Sequence, residues 1–540
     1  MKIVMKSIKQ IIAISFVGLV LSSCDLSLDR IPETNLSDAN FWATEDNFRM
    51  ACNQFPSLIT AESIVYDDLR SDFATGTGLN SISDGSRMTP ATSGDWNGPY
   101  QLIFGTNKVI EKAEGKQITN INRWVGEAKF WRAFAYFLLV KKFGDVPLVL
   151  RVLNVTDPEF TDGRKSRDVV LQQIYDDLDF AISNLPTQQV LGQAGYGRIS
   201  KSAALAFKSR VALYFGTHMK YHKWGDAAKH LQLAITTSEL TMNEGHSLYT
   251  AKPYYNLFQL DGEGFGNKEN ILAIIFGQSL TNSIRSHNIG REMENGYLSI
   301  TRAMVEEFLC ADGLPFKQSP LAEWPEKDPS SVFKNKDPRM KATIYTEGEV
   351  FGSPVVYKWN LPAIRTRFSP KKYCIVADWD SRQSFVDVAM IRYAEVLLNY
   401  AEAKYEKDNA ISDADLNKSI NLLRARVGMP NLTNQFVIAN GLNMQTEIRR
   451  ERNVELAQEG FRYDDIIRWK IAEQVLPKRM LGATFFANVY TGSVRVSSDG
   501  YILIQDESSR KFDPARDYLY PVPVREISLS DGSIKQNPKW

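Results

Sequence analysis

Apolar residues recur at helical spacing along most of the chain, and the periodic segments come in pairs. In 123–143 they lie three or four residues apart, at Trp124, Ala128, Trp131, Ala135 and Leu138. Comparable patterns occupy 46–61, 169–185, 200–216, 224–235, 388–407 and 413–427. Alanine-rich helices alternating with helices led by tryptophan or tyrosine are typical of tetratricopeptide hairpins. We therefore expect a mainly α-helical scaffold of tetratricopeptide-like hairpins, with long irregular loop insertions and a few short strands.

Two stretches interrupt this helical pattern. Residues 66–97 include a run rich in Gly, Ser and Thr at 74–86, and 251–386 are rich in Pro, Gly, Trp and Tyr. Within the second stretch, only 271–276 and 355–359 read as strands. Because binding residues concentrate on loops that a rigid scaffold holds in place, we expect these two stretches to form the working face.

The densest charge in the chain lies near its C-terminal end, in 447–460. Four glutamates are spaced i, i+4 and three arginines stand among them: Glu447, Glu451, Glu455 and Glu459, with Arg449, Arg450 and Arg452. Gly460 suits a left-handed helix end, and Asp464 and Asp465 suit the first turn of a following helix. Paired carboxylates can perform acid–base chemistry, but no motif here supplies a nucleophile or a metal. The favoured interpretation is a structural ion network.

The N-terminus has the pattern of an exported lipoprotein. Residues 1–10 carry three lysines, and 11–21 form an apolar run of eleven residues, too short to span a bilayer. The run ends Leu-Ser-Ser before Cys24, which is the arrangement of a bacterial lipoprotein signal. We expect 1–23 to be the signal peptide and Cys24 to carry acyl chains that anchor the protein to a membrane. Residues 25–32 then form a short tether.

Composition narrows the class of protein. With 44% hydrophobic and 24% charged residues, the 540-residue chain is typical of a folded globular protein. Loss of the signal peptide removes three lysines and no acid, so the net charge falls from +1 to about −2, which gives no electrostatic case for nucleic acid.

Cysteine and histidine spacing indicates no metal site. Cys52, Cys310 and Cys374 remain beside the lipidated cysteine, so at most one disulfide can form, and the spacing does not say which. No Cys-x-x-Cys pair is present. His218 and His222 have no third ligand nearby in sequence, and an ordinary pair on one helix face is the favoured interpretation. We expect no metal, and no cofactor apart from the covalent lipid on Cys24.

Several separate motifs, in a fixed order, carry a resemblance to a known family. In the N-terminal half they are W-x3-Y-x2-I-x3-N at 96–107, E-A-K-F-W-R-A-F-A-Y at 127–136 and F-G-D-V-P at 143–147. In the C-terminal half they are K-D-P-R at 336–339, I-R-Y-A-E-V-L-L-N-Y-A-E-A at 391–403, N-x2-R-x-R-x-G-M-P at 421–430, E-R-x2-E-L-x3-G-F-R at 451–462, Y-P-V-P at 520–523 and Q-N-P-K-W at 536–540. Together they resemble the SusD/RagB outer-membrane lipoproteins of the Bacteroidetes.

This resemblance implies a fold and a function. The fold would be SusD-like, with an N-terminal region at 24–240 and a C-terminal domain at 260–540 that includes the variable loop insert and the last hairpin. The protein would be a lipid-anchored, non-enzymatic surface protein that captures an oligosaccharide and delivers it to a SusC-like TonB-dependent transporter of the outer membrane. Oligopeptide capture by the same architecture is the alternative. A surface glycoside hydrolase is less favoured, because it needs two suitably spaced carboxylates in a cleft.

Sugar capture needs flat aromatic faces for stacking, together with polar groups that bind hydroxyls. Tryptophans in the helical repeats are expected in the core: Trp124, Trp131, Trp224 and Trp469. Aromatic residues in loop-like sequence are candidates for ligand contact: Trp96, Tyr297, Trp324, Trp359 and Trp379. The polar candidates are Arg70, Asp72, Asn97 and Arg365; with Arg367, Arg365 forms a basic pair that would suit an acidic sugar or a carboxylate.

Overall fold

A computed structural model describes residues 38–540, apart from 155, 280–281, 353–354 and 491–492. The signal peptide, Cys24 and the tether lie outside the described residues, so their assignments stay predictions. Within the described part, no helix combines the length and apolar character needed to cross a membrane.

The described chain is mainly helical. The helices of the N-terminal half are Asp38–Phe41, Glu45–Cys52, Ala61–Val65, Gly94–Ala113, Ile121–Phe143, Arg167–Asn184, Gln188–Leu191, Lys201–His222 and Ala227–Met242. Those of the C-terminal half are Ile289–Glu294, Arg302–Glu307, Pro338–Thr343, Tyr393–Asp408, Asp413–Asn417, Ile420–Arg426, Asn434–Ala439, Met444–Glu455, Arg462–Arg468, Ala472–Val475 and Val524–Leu529. This confirms the expected fold class.

Strands are short and form two-stranded antiparallel pairs. The pairs are Ala74–Thr75 with Ser299–Ile300, Asn270–Ile274 with Val388–Arg392, Gly277–Ser279 with Asn282–Ser283, Val350–Gly352 with Val355–Val356, and Met480–Thr484 with Tyr501–Gln505. The first pair joins the two irregular stretches to each other. The second pair leads directly into the helix Tyr393–Asp408, and so ties the large insert to the scaffold.

Long antiparallel helices form the scaffold because their apolar residues recur at helical spacing. The helix Ile121–Phe143 packs between Gly94–Ala113 and Arg167–Asn184. Lys201–His222 packs against Ala227–Met242, which in turn contacts Tyr393–Asp408. The tryptophans expected in the core are buried there, namely Trp124, Trp131 and Trp469, while Trp224 is half-buried against the scaffold. The division at 24–240 and 260–540 stays a prediction.

The charged helix Met444–Glu455 is buried, and its glutamates pair mainly with side chains from other elements. Glu455 contacts the guanidinium groups of Arg339, Arg392 and Arg426 at 3.1, 3.1 and 2.7 Å. Burial opposes ionisation of Glu455, but these cations outweigh it and hold its pKa well below the ordinary value. Glu451 likewise pairs with Arg339 and Arg424, at 2.6 and 2.8 Å. The expected ion network is confirmed.

The arginines of this helix have different partners from those its sequence suggested. Arg449 bonds Glu406 and Arg452 bonds Asp465, both from other helices. Among the described residues, Arg450 makes the one ion pair within the helix, with Glu447 at 3.3 Å. Gly460 adopts φ +78°, and a Cβ there would lie 2.5 Å from the carbonyl oxygen of Ile64, so the turn requires glycine.

We expect the free energy of unfolding to fall as the pH drops from about 5 to about 2. Burial disfavours the ionised form of Glu402, but Arg468 and Arg452 outweigh burial and lower its pKa to about 2. In an unfolded chain the pKa of a glutamate side chain is about 4.3. The stability that Glu402 contributes is therefore present above that value and is lost as the pH falls toward 2. Urea unfolding at about pH 7, 4 and 3 measures the loss; equal unfolding free energies would contradict it.

The cysteines and histidines behave as ordinary core residues. Cys52, Cys310 and Cys374 are buried and unbonded to one another, so none of these three forms a disulfide. His218 and His222 stack face to face on one helix, with ring centroids 3.9 Å apart. The part of the chain that the structure describes contains no group of three or more His, Cys, Asp or Glu side chains arranged to hold a metal ion.

Candidate functional site

Two of the candidate tryptophans are core residues. Trp96 lies in the first turn of the helix Gly94–Ala113, is 3% exposed and packs edge-on against Phe143. Trp359 is 6% exposed, with Phe333 and Tyr357 each 5.5 Å from its ring centre. Both rings are largely covered by protein side chains, so their assignment as ligand-stacking residues is not supported by this geometry. Trp96 also lines a surface hollow beside its helix.

We expect Trp359→Phe to lower the free energy of unfolding by about 1–2 kcal/mol, since the smaller ring leaves a void in this aromatic cluster. Ligand affinity of the folded variant should not change, because the Trp359 ring faces Phe333 and Tyr357 instead of solvent. Denaturant unfolding and a ligand titration of the same sample measure both quantities. Weaker ligand binding at an unchanged free energy of unfolding would show instead that Trp359 contacts the ligand.

The side chains of Arg70 and Asp72 also bond to other residues of the protein. Arg70 is buried, forms an ion pair with Asp67 and donates a hydrogen bond to the hydroxyl of Tyr520 at 2.7 Å. Asp72 accepts two hydrogen bonds from Arg462, each 2.9 Å long. These contacts fasten the first loop stretch to the C-terminal helices, so the assignment of Arg70 and Asp72 as free ligand-binding groups is not supported by their geometry.

Tyr297 and Trp379 both lie beside the short helix Ile289–Glu294. Tyr297 is 50% exposed and follows the helix Ile289–Glu294, with its backbone N–H donating to the carbonyl of Glu292 at 3.0 Å. Trp379 is half-buried: its indole N–H donates to Glu294 at 2.9 Å, and the guanidinium of Arg291 lies 3.7 Å from its ring centre. Arg291 therefore covers one face of Trp379, and Tyr297 is the more open platform.

Trp324 is the second open aromatic platform, at 44% exposure. Phe316 supports it edge-on, with ring centroids 5.5 Å apart. Two cations flank the ring, Lys317 at 5.4 Å and Arg302 at 5.9 Å from its centre. Arg302 is itself held by Glu326 at 2.7 Å. The ring is thus fixed by packing and charge while a large part of its surface meets solvent.

The loop 361–367 packs against the turn that carries Tyr297. Gly296 approaches this loop so closely that a Cβ would lie 2.0 Å from the carbonyl oxygen of Ala363. The Arg365 guanidinium donates to the carbonyl of Gly76 at 3.0 Å. At the far end of the loop, the backbone N–H of Ala483 donates to the carbonyl of Thr366 at 2.9 Å. For the loop residues Gly76, Tyr297, Trp324, Arg365 and Trp379 we use the collective name loop face.

Only one arginine of the basic pair remains at the loop face. Arg367 is 5% exposed and donates to the carbonyl oxygens of Leu361 and Ile364. Burial lowers the pKa of both Arg365 and Arg367. The half-buried Arg365 keeps part of its surface open, so it is the polar group best placed to meet a ligand hydroxyl or carboxylate.

Concave regions of the described chain lie away from the loop face. A partly open cavity of about 360 Å³ lies in the scaffold, lined by groups that include Arg70, Asp95, Lys141 and Asp464. Two surface hollows of about 610 and 570 Å³ border the helix Gly94–Ala113, and Asn97 lines the larger one. None of these three is lined by Tyr297, Trp324 or Trp379.

Sequence reasoning missed the side chains that position the platforms. Arg291, Glu294, Phe316 and Lys317 fix the two tryptophans of the loop face. They occupy stretches without helical period, so no spacing signal linked them to Trp379 or Trp324.

The fold is that of a mainly helical scaffold protein whose long irregular loops carry exposed aromatic residues. A family model described as the SusD family matches residues 274–540, and a second, described as starch-binding and associating with the outer membrane, matches residues 28–213. The chain belongs to the SusD family.

Named relatives agree with this assignment. A SusD-like protein of Formosa agariphila is 25% identical over 489 residues, covering 85% of this chain and 90% of the relative. A SusD-like carbohydrate-binding protein from Bacteroides fragilis superposes with a TM-score of 0.75 at 24% identity, covering 91% of this chain and 99% of that one. A laminarin-binding SusD-like protein superposes with a TM-score of 0.60 at 21% identity, covering 92% and 100%. At these identities the two structures establish the fold.

Proposed function

We propose that the protein captures an oligosaccharide at the outer membrane and delivers it to a SusC-like TonB-dependent transporter. The observation that carries the proposal is the pair of exposed aromatic rings, Tyr297 and Trp324, on the loops of a SusD-family scaffold. Two solved neighbours support the ligand class, since one is a carbohydrate-binding and the other a laminarin-binding SusD-like protein.

The chemistry of the loop face suits a saccharide. The apolar faces of sugar rings pack on aromatic rings, and an open surface accepts a long chain that a closed pocket would exclude. Arg365 contacts the carbonyl of Gly76, close to the backbone of Tyr297, and supplies donors for hydroxyl groups. Asn97 lines a separate hollow beside the helix Gly94–Ala113, so it has no part in this proposed contact.

The protein is proposed to bind without turnover. The two carboxylates nearest Tyr297 are committed: Glu292 accepts a hydrogen bond from Tyr66, and Glu294 accepts one from Trp379. A glycoside hydrolase would need a general acid and a second carboxylate free to meet the scissile bond. Release of reducing ends by the purified protein, abolished by a single Glu→Gln change, would overturn this part of the proposal.

Delivery is tested in cells that express the protein. The proposed lipid on Cys24 holds the loop face near the transporter, so Cys24→Ser should reduce accumulation of a fluorescent oligosaccharide while the purified variant binds that sugar as tightly as the unaltered chain. Equal accumulation by cells carrying either form would contradict membrane-anchored delivery. A matched variant, Cys310→Ser, controls for loss of a thiol at a buried site that is not proposed to be lipidated.

A further inference from the structure

The partly open cavity of about 360 Å³ lies where residues 58–70 meet the helices of the scaffold. Its walls include residues from that segment, from the helices Gly94–Ala113 and Ile121–Phe143, and from 459–468. Small-molecule sites in proteins have volumes from about 300 Å³ upward. This cavity is therefore large enough for a compact ligand, and we call it the scaffold cavity.

Three ion pairs converge on the scaffold cavity, and all six of their charged groups line it. The pairs are Arg70 with Asp67, Lys141 with Asp464, and Lys142 with Asp95 at 2.5 Å. Burial opposes ionisation of Asp464 and of Asp95, but the neighbouring cations outweigh burial and hold the pKa of each below its ordinary value. The other charged residues of the lining pair with one another or with neighbours outside it: Arg210, Arg452, Glu459, Asp465 and Arg468. The three converging pairs are thus ionised and together carry no net charge.

One buried donor in this group has no hydrogen-bond partner among the described residues. The terminal nitrogens of Arg70 bond Tyr520, at 2.7 Å, and Asp67, but its Nε–H makes no hydrogen bond to them or to any other described residue. A buried N–H without a partner costs free energy, so a ligand oxygen that accepts from it is favoured. The side chains of Arg70 and Lys141 are only 10% and 9% exposed. Those of Asp67 and Asp95 are 25% and 41% exposed, so the carboxylates lie nearer the mouth and the cations deeper.

Much of the remaining lining is apolar. It includes aliphatic and aromatic side chains from residues 58–59 and from two helices: Leu58, Ile59, Leu102, Phe134, Phe137 and Leu138. The charged and apolar parts adjoin, since the ammonium of Lys141 lies 5.3 Å from the centre of the Phe137 ring. A ligand that matches the scaffold cavity therefore carries an apolar group directly beside its charged groups.

We propose that the scaffold cavity binds a free α-amino acid with an apolar side chain. Such a molecule holds an ammonium and a carboxylate on one carbon atom, just as each ion pair of the cavity sets a cation beside a carboxylate. Its carboxylate accepts from Nε of Arg70, its ammonium faces Asp95 at the mouth, and its side chain packs beside Phe137.

The balance of charge favours a zwitterion over a simple anion or cation. The three ion pairs carry no net charge and a zwitterion adds none, whereas a singly charged ligand leaves a net charge in a partly buried site. An oligopeptide separates its two terminal charges along the chain and does not match the cavity. The proposal concerns the scaffold and does not require that the loop face bind a sugar.

Isothermal titration of the chain lacking residues 1–23 with single amino acids tests the proposal. L-phenylalanine and L-leucine should bind saturably at a single site, and each should raise the melting temperature as its concentration increases. Two analogues separate the charges, since phenethylamine lacks the carboxylate and 3-phenylpropionate lacks the ammonium. Each analogue should bind about tenfold more weakly than phenylalanine, or more weakly still, because it leaves a net charge in the cavity. No saturable binding of either amino acid, or equal binding of phenylalanine and either analogue, would overturn the proposal.

Asp95→Asn should change which charge the scaffold cavity prefers while leaving its shape. The partial exposure of Asp95 limits the loss of stability, which the melting temperature without ligand monitors. Three cations then face two carboxylates, so the affinity for phenylalanine should fall about tenfold and that for 3-phenylpropionate should rise. The matched control is Asp46→Asn, in an exposed ion pair that does not line the cavity, and it should alter neither affinity. Unchanged affinity for both ligands in Asp95→Asn would overturn the proposal.

Discussion

Replacing Glu455 by Gln should lower the free energy of unfolding by about 3–5 kcal/mol, the largest loss that we expect from any single change discussed here. Glu455 is fully buried and contacts Arg339, Arg392 and Arg426. Gln keeps the shape but removes the charge, so three buried guanidinium groups lose a shared partner. Denaturant unfolding at neutral pH measures the change.

The control for this variant is an exposed ion pair. Asp46 contacts Arg49 at 3.0 Å, with 75% of its side chain exposed, so Asp46→Asn should alter stability by no more than about 0.5 kcal/mol. Ligand affinity of folded Glu455→Gln should match that of the unaltered protein, because the network lies in the scaffold and not at the loop face. Lost affinity at full stability would show that the charged helix takes part in binding.

The second large effect concerns ligand affinity. Tyr297→Ala and Trp324→Ala should each weaken oligosaccharide binding about tenfold, and the double variant about a hundredfold, because each removes one stacking platform. Both rings are about half-exposed, so stability should change little. Isothermal titration of the single and double variants measures the losses.

Phe104→Ala is the matched control for these two variants. Phe104 is an aromatic residue of similar exposure, at 53%, in the surface hollows beside the helix Gly94–Ala113 instead of the loop face. It should leave sugar affinity unchanged. Equal losses in Phe104→Ala and Trp324→Ala would mean that the sugar does not bind at the loop face.

Periodicity along the sequence predicted most of the scaffold. A helix repeats every three to four residues, so the positions of Trp124 and Trp131 alone indicate which face is buried, and both are buried. The left-handed turn at Gly460 was likewise predicted from local chemistry. These features depend only on residues close in sequence.

Contacts between distant residues could not be predicted in the same way. Trp359 lies in a loop without period, and its burial depends on Phe333, which is far away along the chain. The cations that neutralise Glu455 come from Arg339 and Arg392, which belong to separate elements. Sequence spacing correctly identified an ion network, but only the fold determines which charges meet.

The candidate site was predicted less completely for the same physical reason. A tryptophan in loop sequence has the same local sequence pattern whether its side chain is buried or exposed to solvent. Trp324, which is exposed, and Trp359, which is buried, could therefore not be distinguished from the sequence. Arg70 and Asp72 were correctly placed in a loop stretch, but their partners Tyr520 and Arg462 come from the far end of the chain.

The central claim, saccharide capture by the loop face, is tested most directly by calorimetric titration of the chain lacking residues 1–23. A panel of oligosaccharides and a panel of oligopeptides are titrated under the same conditions. We expect saturable binding of at least one oligosaccharide, weakened by the double variant of Tyr297 and Trp324, and no binding of the peptides. Saturable peptide binding together with no response to any oligosaccharide would contradict the account and would assign the scaffold to peptide capture.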